Sequence, residues 1–277
     1  MNIEALTGSA AAATPPLGGT ARRVELADGR TVVAKRHEHA TAVRAEVAGL
    51  RWLADLVPSP EVLGYDDEWL VMDFVEPGAP SATAAADFGR GLARLHAAGA
   101  SAFGAAPPDG PADAWIGLAP MRNEPGPDWP SWYAAHRIEP YLRSAVDQGV
   151  LSGADVRAVE SVCEQVSSLA GPAEQPARLH GDLWSGNVQW AADGRAWLID
   201  PAAHGGHRET DLAMLHLFGC AQLDRIVAAY DEAAPLADGW RARIGLHQLF
   251  PLLVHTVLFG GGYAGQAAAA ARSALRG

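Results

Sequence analysis

The apolar positions of this chain change period several times, and each change predicts an element. Residues 17 to 36, LGGTARRVELADGRTVVAKR, hold two apolar-rich runs joined by Asp28-Gly29, a strong hairpin signal. Lys35 therefore falls near the end of a strand, and Gly18-Gly19 opens the first one. From Thr41 to Leu56 the spacing turns helical, with Val43, Val47, Leu50 and Leu53 on one stripe. Thr41 is placed to cap this helix, Glu46 lies among its apolar positions, and Pro58 and Pro60 end it. EVLGYDDEWLVMDFVEPG then supplies two strand-like runs about Asp66-Asp67. Residues 15 to 76 thus predict a small antiparallel sheet carrying one helix.

The pattern changes after Pro77-Gly78. Ala84 to Ala98 reads as a helix with Phe88, Leu92 and Leu95 on one stripe and His96 near its end. Gly99 to Trp129 is rich in Pro, Gly and Trp and predicts long loops, which often carry specificity. Two or three helical segments follow, up to about Ala170. VQW and AWLID form strands around Asp193-Gly194, with Asp200 at the far end of that hairpin. Helices are expected over Leu212–Gly219, Leu223–Ala233 and Trp240–Phe259. No internal repeat appears. The expected class is α+β in two lobes: 1–76, a small sheet, and 77–277, mainly helical.

One stretch obeys no period. RLHGDLWSGNVQW, from Arg178 to Trp190, places His180, Asp182, Trp184 and Asn187 within eight residues, among which Leu183 is the one bulky aliphatic side chain. A core segment repeats its apolar residues. This one reads either as an ordinary polar loop or as a loop that presents particular side chains.

Composition narrows the function classes. Apolar content of 49% against 19% charged describes a globular chain and not a disordered one. Acidic residues number 32 and basic ones 21, a formal charge of -11, which argues against nucleic acid as the main partner. Cys163 and Cys220 form neither a metal motif nor a disulfide framework, so a reducing cytoplasm is the simple reading. The N-terminus shows no signal-peptide pattern. The most apolar run, Leu249 to Phe259, is short for a membrane span and reads as a buried helix.

Of the 21 basic residues only Lys35 is lysine. Composition bias explains this as readily as a site that rejects guanidinium, whose planar fork differs from a compact ammonium. Position decides. Phosphoryl transfer from ATP needs a strand Lys on the phosphates and a helix Glu to hold it. It also needs an Asp to orient the attacking hydroxyl, and an Asn and a second Asp for Mg2+. The chain offers Lys35, Glu46, Asp182, Asn187 and Asp200 in that order, and the step from Asp182 to Asn187 fits D-x-x-x-x-N. Each element alone is weak; in this order and on these elements they reinforce one another.

These residues, with HGDLWSGN, Asp200-Pro201-Ala202, GHRETDLAM (206–214), Leu217 to Gly219 and LHQLFPLLVHTVLFGGGY, resemble the fructosamine kinase (ketosamine-3-kinase) family of the protein-kinase-like superfamily. Trp184 and the last segments set that family apart from aminoglycoside and choline kinases. The resemblance implies a two-lobed ATP-dependent kinase acting on a sugar hydroxyl, O3, of a ketosamine or glycated amine, with deglycation as the result. By the same resemblance Asp182 would be the base, Asn187 and Asp200 would bind Mg2+, and Lys35 with Glu46 would meet the phosphates of ATP. Gly18 and Gly19 would cover the phosphates, Met72, Asp73, Phe74 and Val75 would form the adenine hinge, and Trp184 a wall of the sugar site.

Other residues have blander expectations. His180 is expected to fix its loop backbone, and Asp211 to anchor that loop from a helix. Arg208 and Glu209 read as an internal ion pair, and His204 with His207 lacks the neighbours that zinc requires. Residues 99–132 match the family only around Phe103-Gly104, Trp115 to Gly117, Asn123 and Trp129. The glycine turn holds no cysteine, so no redox-linked dimer is expected there, and the chain is expected to be a monomer with no nucleic-acid or membrane partner. Rival readings are a kinase for another small alcohol (an aminoglycoside, choline or a sugar) and a nucleotide-binding regulator without catalysis.

Overall fold

The computed structural model describes residues 1–276, Gly18 excepted. The chain opens with a one-turn helix, α1 (Ile3–Thr7), and then runs β1 (Ala11–Ala13), β2 (Pro16–Gly18), β3 (Ala21–Leu26), β4 (Thr31–Arg36), α2 (Ala40–Ala54), β5 (Val62–Tyr65) and β6 (Trp69–Asp73). The strands form one antiparallel sheet in the order β1-β3-β4-β6-β5, with β2 beside β3.

Side-chain alternation gives each face of this sheet its own core. Val32 and Ala34 of β4 join Val24, Trp69 and Val71 on the face that Ile3 of α1 covers. Leu70 and Met72 of β6 lie on the other face, against Val43, Val47 and Leu50 of α2. Lys35, one step out of phase with Ala34, therefore points toward α2. The sheet carries two helices where the sequence pattern indicates one, because α1 is too short to show a period. His39, not Thr41, is the N-cap of α2. The Thr41 hydroxyl instead accepts a hydrogen bond from Trp115 Nε1 at 3.0 Å.

The helical part begins with α3 (Ala82–Ala97), capped by Ser81, whose hydroxyl accepts the Ala84 N–H at 3.1 Å. The region expected to be loops holds a hairpin, β7 (Asp113–Ile116) and β8 (Ala119–Arg122). Pro120 within β8 weakens the strand signal, since proline cannot donate to a ladder. Next come α4 (Trp129–Tyr133), a π-helical turn (Ala134–Ile138), α5 (Glu139–Asp147), α6 (Gly153–Leu169) and β9 (Ala177–Leu179). A 3-10 turn (Ser185–Asn187) precedes β10 (Val188–Trp190), β11 (Ala196–Leu198) and β12 (His204–Gly206), and β10 pairs with β11 while β12 pairs with β9. The chain closes with α7 (Glu209–Leu217), α8 (Leu223–Ala233), α9 (Trp240–Phe259) and α10 (Gly262–Ala274).

By length and composition α9 is apolar enough to cross a membrane, yet 56% of its apolar stretch is buried inside the fold. Leu249, Phe250 and Leu253 join Trp129, Tyr133 and Val162 in the largest core. Pro251 removes one backbone donor from this helix. The Tyr133 hydroxyl lies nearby, donating to Leu246 O at 2.8 Å and accepting from the Phe250 N–H at 3.3 Å.

A second core, with Leu53, Phe88, Leu92, Leu183, Leu198, Leu212 and Tyr230, ties α2 and α3 to the segments around residues 180–200. The close approach that matters most is at Gly49. A Cβ there would meet Pro201 Cγ at 3.0 Å and Ala203 Cβ at 3.3 Å, so α2 rests almost directly on the chain that follows Asp200. Gly49→Leu is expected to overpack this contact at about 1–3 kcal/mol and to lower Tm in thermal unfolding. An unchanged Tm would show that α2 has room to move.

Candidate active site

The hairpin that delivers Lys35, the helix that carries Glu46 and the segment after β11 meet on one charge. Lys35 Nζ lies 2.8 Å from Glu46 Oε2 and 3.0 Å from Asp200 Oδ1. Burial alone would push the ammonium pKa down, but the two carboxylates outweigh it and hold Lys35 above its usual range. Glu46 is buried, which favours its neutral form. Lys35, with His37 Nε2 3.1 Å away, reverses this and keeps the carboxyl below its ordinary value. A compact ammonium fits between two carboxylates where a broad guanidinium would not. The single lysine thus stands where charge geometry demands one.

The stretch without a period is a loop held from behind. Asp211, fully buried on α7, accepts the backbone N–H groups of His180 at 2.8 Å and Gly181 at 2.9 Å. His96 Nε2 approaches the same carboxylate at 3.2 Å, and Tyr230 Oη lies 2.8 Å from His96 Nδ1. A carboxylate only accepts, so His96 Nε2 is the donor in its contact with Asp211. His180 is likewise buried: Nε2 faces the Ile199 carbonyl at 2.9 Å and Nδ1 accepts the Asp182 N–H at 3.2 Å. One neutral tautomer satisfies both contacts, and burial lowers its pKa. Gly181 has φ +82 and its α-carbon abuts Ala202, a position no Cβ could share.

Asp182 lies where this loop faces the cleft, with the buried Asn187 bonded to it. Asn187 Nδ2 donates to Asp182 O at 2.8 Å and to Asp182 Oδ2 at 3.1 Å. Burial, and then the nearby Asp200 charge, raise the Asp182 pKa to about 7. Asp200 sits at φ +53, and burial together with Glu46 raises its carboxyl as well, against the pull of Lys35. A cavity of about 320 Å³ opens here, with Lys35, Glu46, Asp182 and Asp200 joined by Trp115 and Asn123 from the β7–β8 region. Trp115 stacks on His39 with ring centroids 4.4 Å apart.

Other sequence expectations fall elsewhere. Trp184 is outside this cavity: it is 36% exposed, packs over Gly186, and meets the Phe218 edge at 6.0 Å. Beyond Phe218, His255 at 5.4 Å and Tyr263 at 6.4 Å extend the aromatic group. Met72 and Val75 are buried at the end of β6, and Phe74 lies under the Arg23 guanidinium at 4.9 Å, with Asp73 half-buried between them. Gly19 forms a turn at φ +54 between β2 and β3, while Gly18 lies outside the described residues.

Two expectations are corrected. Arg208 pairs with Glu174 at 2.7 Å instead of Glu209, which is held by Arg243 at 2.6 and 2.9 Å. Neighbours in a helix sequence point apart, so both found partners across the fold. His207 does have metal-ligand neighbours, since ligand atoms of His207, Glu209 and His247 lie within 4.8 Å of one another. Arg243, however, donates to both Glu209 oxygens and supplies the positive charge that a metal would bring. His204 is turned away, its Nδ1 on the Ala202 carbonyl at 2.8 Å.

Residues 20–276 match the family model described as fructosamine kinase. The chain belongs to the fructosamine kinase family. A "probable ketoamine kinase" of Enterococcus faecium is 33% identical over 227 residues, covering 80% of this chain and 79% of that one. The chloroplastic protein-ribulosamine 3-kinase of Arabidopsis thaliana is 30% identical over 210 residues, covering 75% and 63%. A crystal structure from Thermobifida fusca, provisionally identified as a fructosamine-3-kinase, superposes with TM-score 0.92 at 49% identity, over 99% of this chain and 97% of that one. Choline kinase LicA of Streptococcus pneumoniae, at 15% identity, shares the fold with TM-score 0.65 over 99% and 96%. The fructosamine kinase family architecture is therefore the bilobal protein-kinase-like one, an antiparallel sheet beside a mainly helical body.

Two outcomes follow from these contacts. Asp211→Ala strips acceptors from two buried amides and from His96, and is expected to cost about 3 kcal/mol or more, read by denaturant unfolding; a cost below about 1 kcal/mol would mean that the loop holds itself. The second concerns pH. The folded chain takes up the Asp182 proton near 7, the unfolded chain near its ordinary value of 3.8, so folding binds a proton between those values and stability falls as pH rises through them. Asp182→Asn is expected to gain Tm over the wild type as the pH of a metal-free buffer rises across that window. Parallel Tm curves would mean an ordinary carboxyl.

Proposed function

We propose that this chain phosphorylates O3 of ketosamines, the adducts of fructose- or ribulose-type sugars with amines, and so starts their deglycation. It is an ATP-dependent phosphotransferase of the ketosamine kinase type. The observation that carries the reading is the convergence of Lys35, Glu46, Asp182 and Asp200 on one cavity, with Asn187 bound to Asp182 beneath them.

In this reading Asp182 accepts the proton of the attacking hydroxyl as its oxygen bonds to the γ-phosphorus and the bond to ADP breaks. A carboxyl poised near 7 suits that task better than one at its usual value. Lys35 neutralises the phosphates, with Glu46 holding it in place. The residues fit a divalent cation. The Asn187 amide nitrogen is committed to Asp182, which leaves its Oδ1 as an acceptor, and Asp200 engages Lys35 through Oδ1, which leaves its Oδ2. These two oxygens would hold Mg2+, which supplies charge neutralisation in the loose transition state. Met72 to Val75 would face adenine, and the Gly18-Gly19 turn the phosphates. Trp184, two residues beyond Asp182 and partly exposed, would offer its ring to the sugar. In the 1,2-enaminol tautomer of the product the nitrogen lone pair expels the C3 phosphate, and water hydrolyses the resulting imine to free the amine and a 3-deoxy dicarbonyl sugar.

The test is Mg2+- and ATP-dependent transfer to a fructosamine, a ribulosamine, a free ketose, choline and an aminoglycoside. Transfer to a ketosamine is expected, with kcat falling about 10²–10⁴-fold in Asp182→Asn while ATP affinity holds. Transfer to another alcohol alone would keep the kinase and remove the deglycation role. Turnover near wild type in Asp182→Asn would remove Asp182 as the base.

A further inference from the structure

The transfer machinery makes no use of a second built feature of the cavity. Asn123 follows β8, is 2% exposed, and lines the cavity together with Asp182 and Lys35. Its backbone N–H donates to Ala112 O at 2.7 Å, and its Oδ1 accepts from Arg137 Nη2 at 2.8 Å. A guanidinium has donors only, so the amide has one possible orientation: oxygen toward Arg137, nitrogen away from it. Nδ2 has no hydrogen-bond partner among the described residues. Buried polar groups are almost always paired, and one left over beside a ligand cavity points to a ligand.

Arg137 explains how this amide is held. It is fully buried, and its hydrogen-bond partners among the described residues are the Arg122 and His136 carbonyls and Asn123, with no carboxylate among them. Its guanidinium donates to the Arg122 carbonyl at 2.9 Å, and packs over Trp132 at 4.5 Å and Phe250 at 5.5 Å. The residue sits in the π-helical turn between α4 and α5, a local widening that shifts side chains out of the regular helical register and is often found at functional sites. A buried cation without a counterion is costly, and its partners are backbone carbonyls, two aromatic faces and Asn123.

We propose that Asn123 is a positioning residue for the acceptor, its Nδ2 donating a hydrogen bond to an oxygen of the ketosamine sugar. This rests on the ketosamine kinase reading and on the acceptor occupying the cavity that Asp182 shares. A neutral donor recognises a lone pair and has no attraction for an ammonium. The contact therefore reads the sugar and leaves the amine end free to vary.

The probe is a fructosamine and a series of its deoxy analogues, each lacking one sugar oxygen. Asn123→Asp keeps the shape and the bond to Arg137, replaces the Nδ2 donor with an acceptor and adds a charge that the Arg137 guanidinium offsets, so the fold is expected to hold; Asn123→Ser, the second variant, removes the amide without adding charge. In both, acceptor KM is expected to rise about tenfold, the scale of one lost hydrogen bond, with ATP KM unchanged. One deoxy analogue should be poor with the wild type and lose nothing further with the variant, a coupling that a merely structural role would not produce. Acceptor KM unchanged in both variants, or every deoxy loss equal in wild type and variant, overturns the proposal alone. A wild-type enzyme that transfers nothing to a ketosamine takes down this inference and the functional reading together.

Discussion

The ammonium of Lys35 joins three segments remote in sequence: β4, α2, and the chain after β11. A buried charge is tolerable only while its partners stay within reach, and removing one partner of such a pair costs about 3–5 kcal/mol. The sheet, its helix and the cleft edge of the helical body are thus bound to one geometry. Gly49 lets α2 rest directly on Pro201, which keeps the helix bearing Glu46 beside the segment bearing Asp200.

The loop around Asp182 is held by a different logic. Its order comes from behind, through Asp211, whose carboxylate collects two backbone amides and His96, while Tyr230 and Ile199 complete the chain of partners. Each donor in that network has an acceptor, and His180 settles into one neutral tautomer. The reactive side of the loop is left free of such constraints, and there two nearby carboxylates in a poorly solvated cleft push Asp182 toward neutrality. A rigid rear and a perturbed front are two results of the same burial.

Much of this was legible from the residues. The lone lysine, the Asp182–Asn187 spacing and the glycine turns all mark local chemistry that spacing can reveal. Asp211 and His180 were readable as supports because each lies on or beside a predicted element. Other features resisted. The β7–β8 hairpin hides behind Pro120, and α1 is a single turn. Glu209 was matched with its neighbour Arg208, yet a helix sends adjacent side chains in different directions, and Arg243 reaches it from α9.

The sequence by itself determined the class of chemistry, since phosphoryl transfer needs few groups and their order along strand, helix, loop and hairpin is nearly diagnostic. It pointed to an α+β chain too, because strand-like runs predominate before Pro77 and helical spacing predominates after it. Only the tertiary structure decided which carboxylates share Lys35, why Asp182 is shifted, and that Arg137 turns Asn123 into a fixed donor at the cavity. Those outcomes depend on burial and on distances between segments up to 165 residues apart, from Lys35 to Asp200. Local pattern carries no record of such distances, because electrostatics and packing act through space and not along the chain.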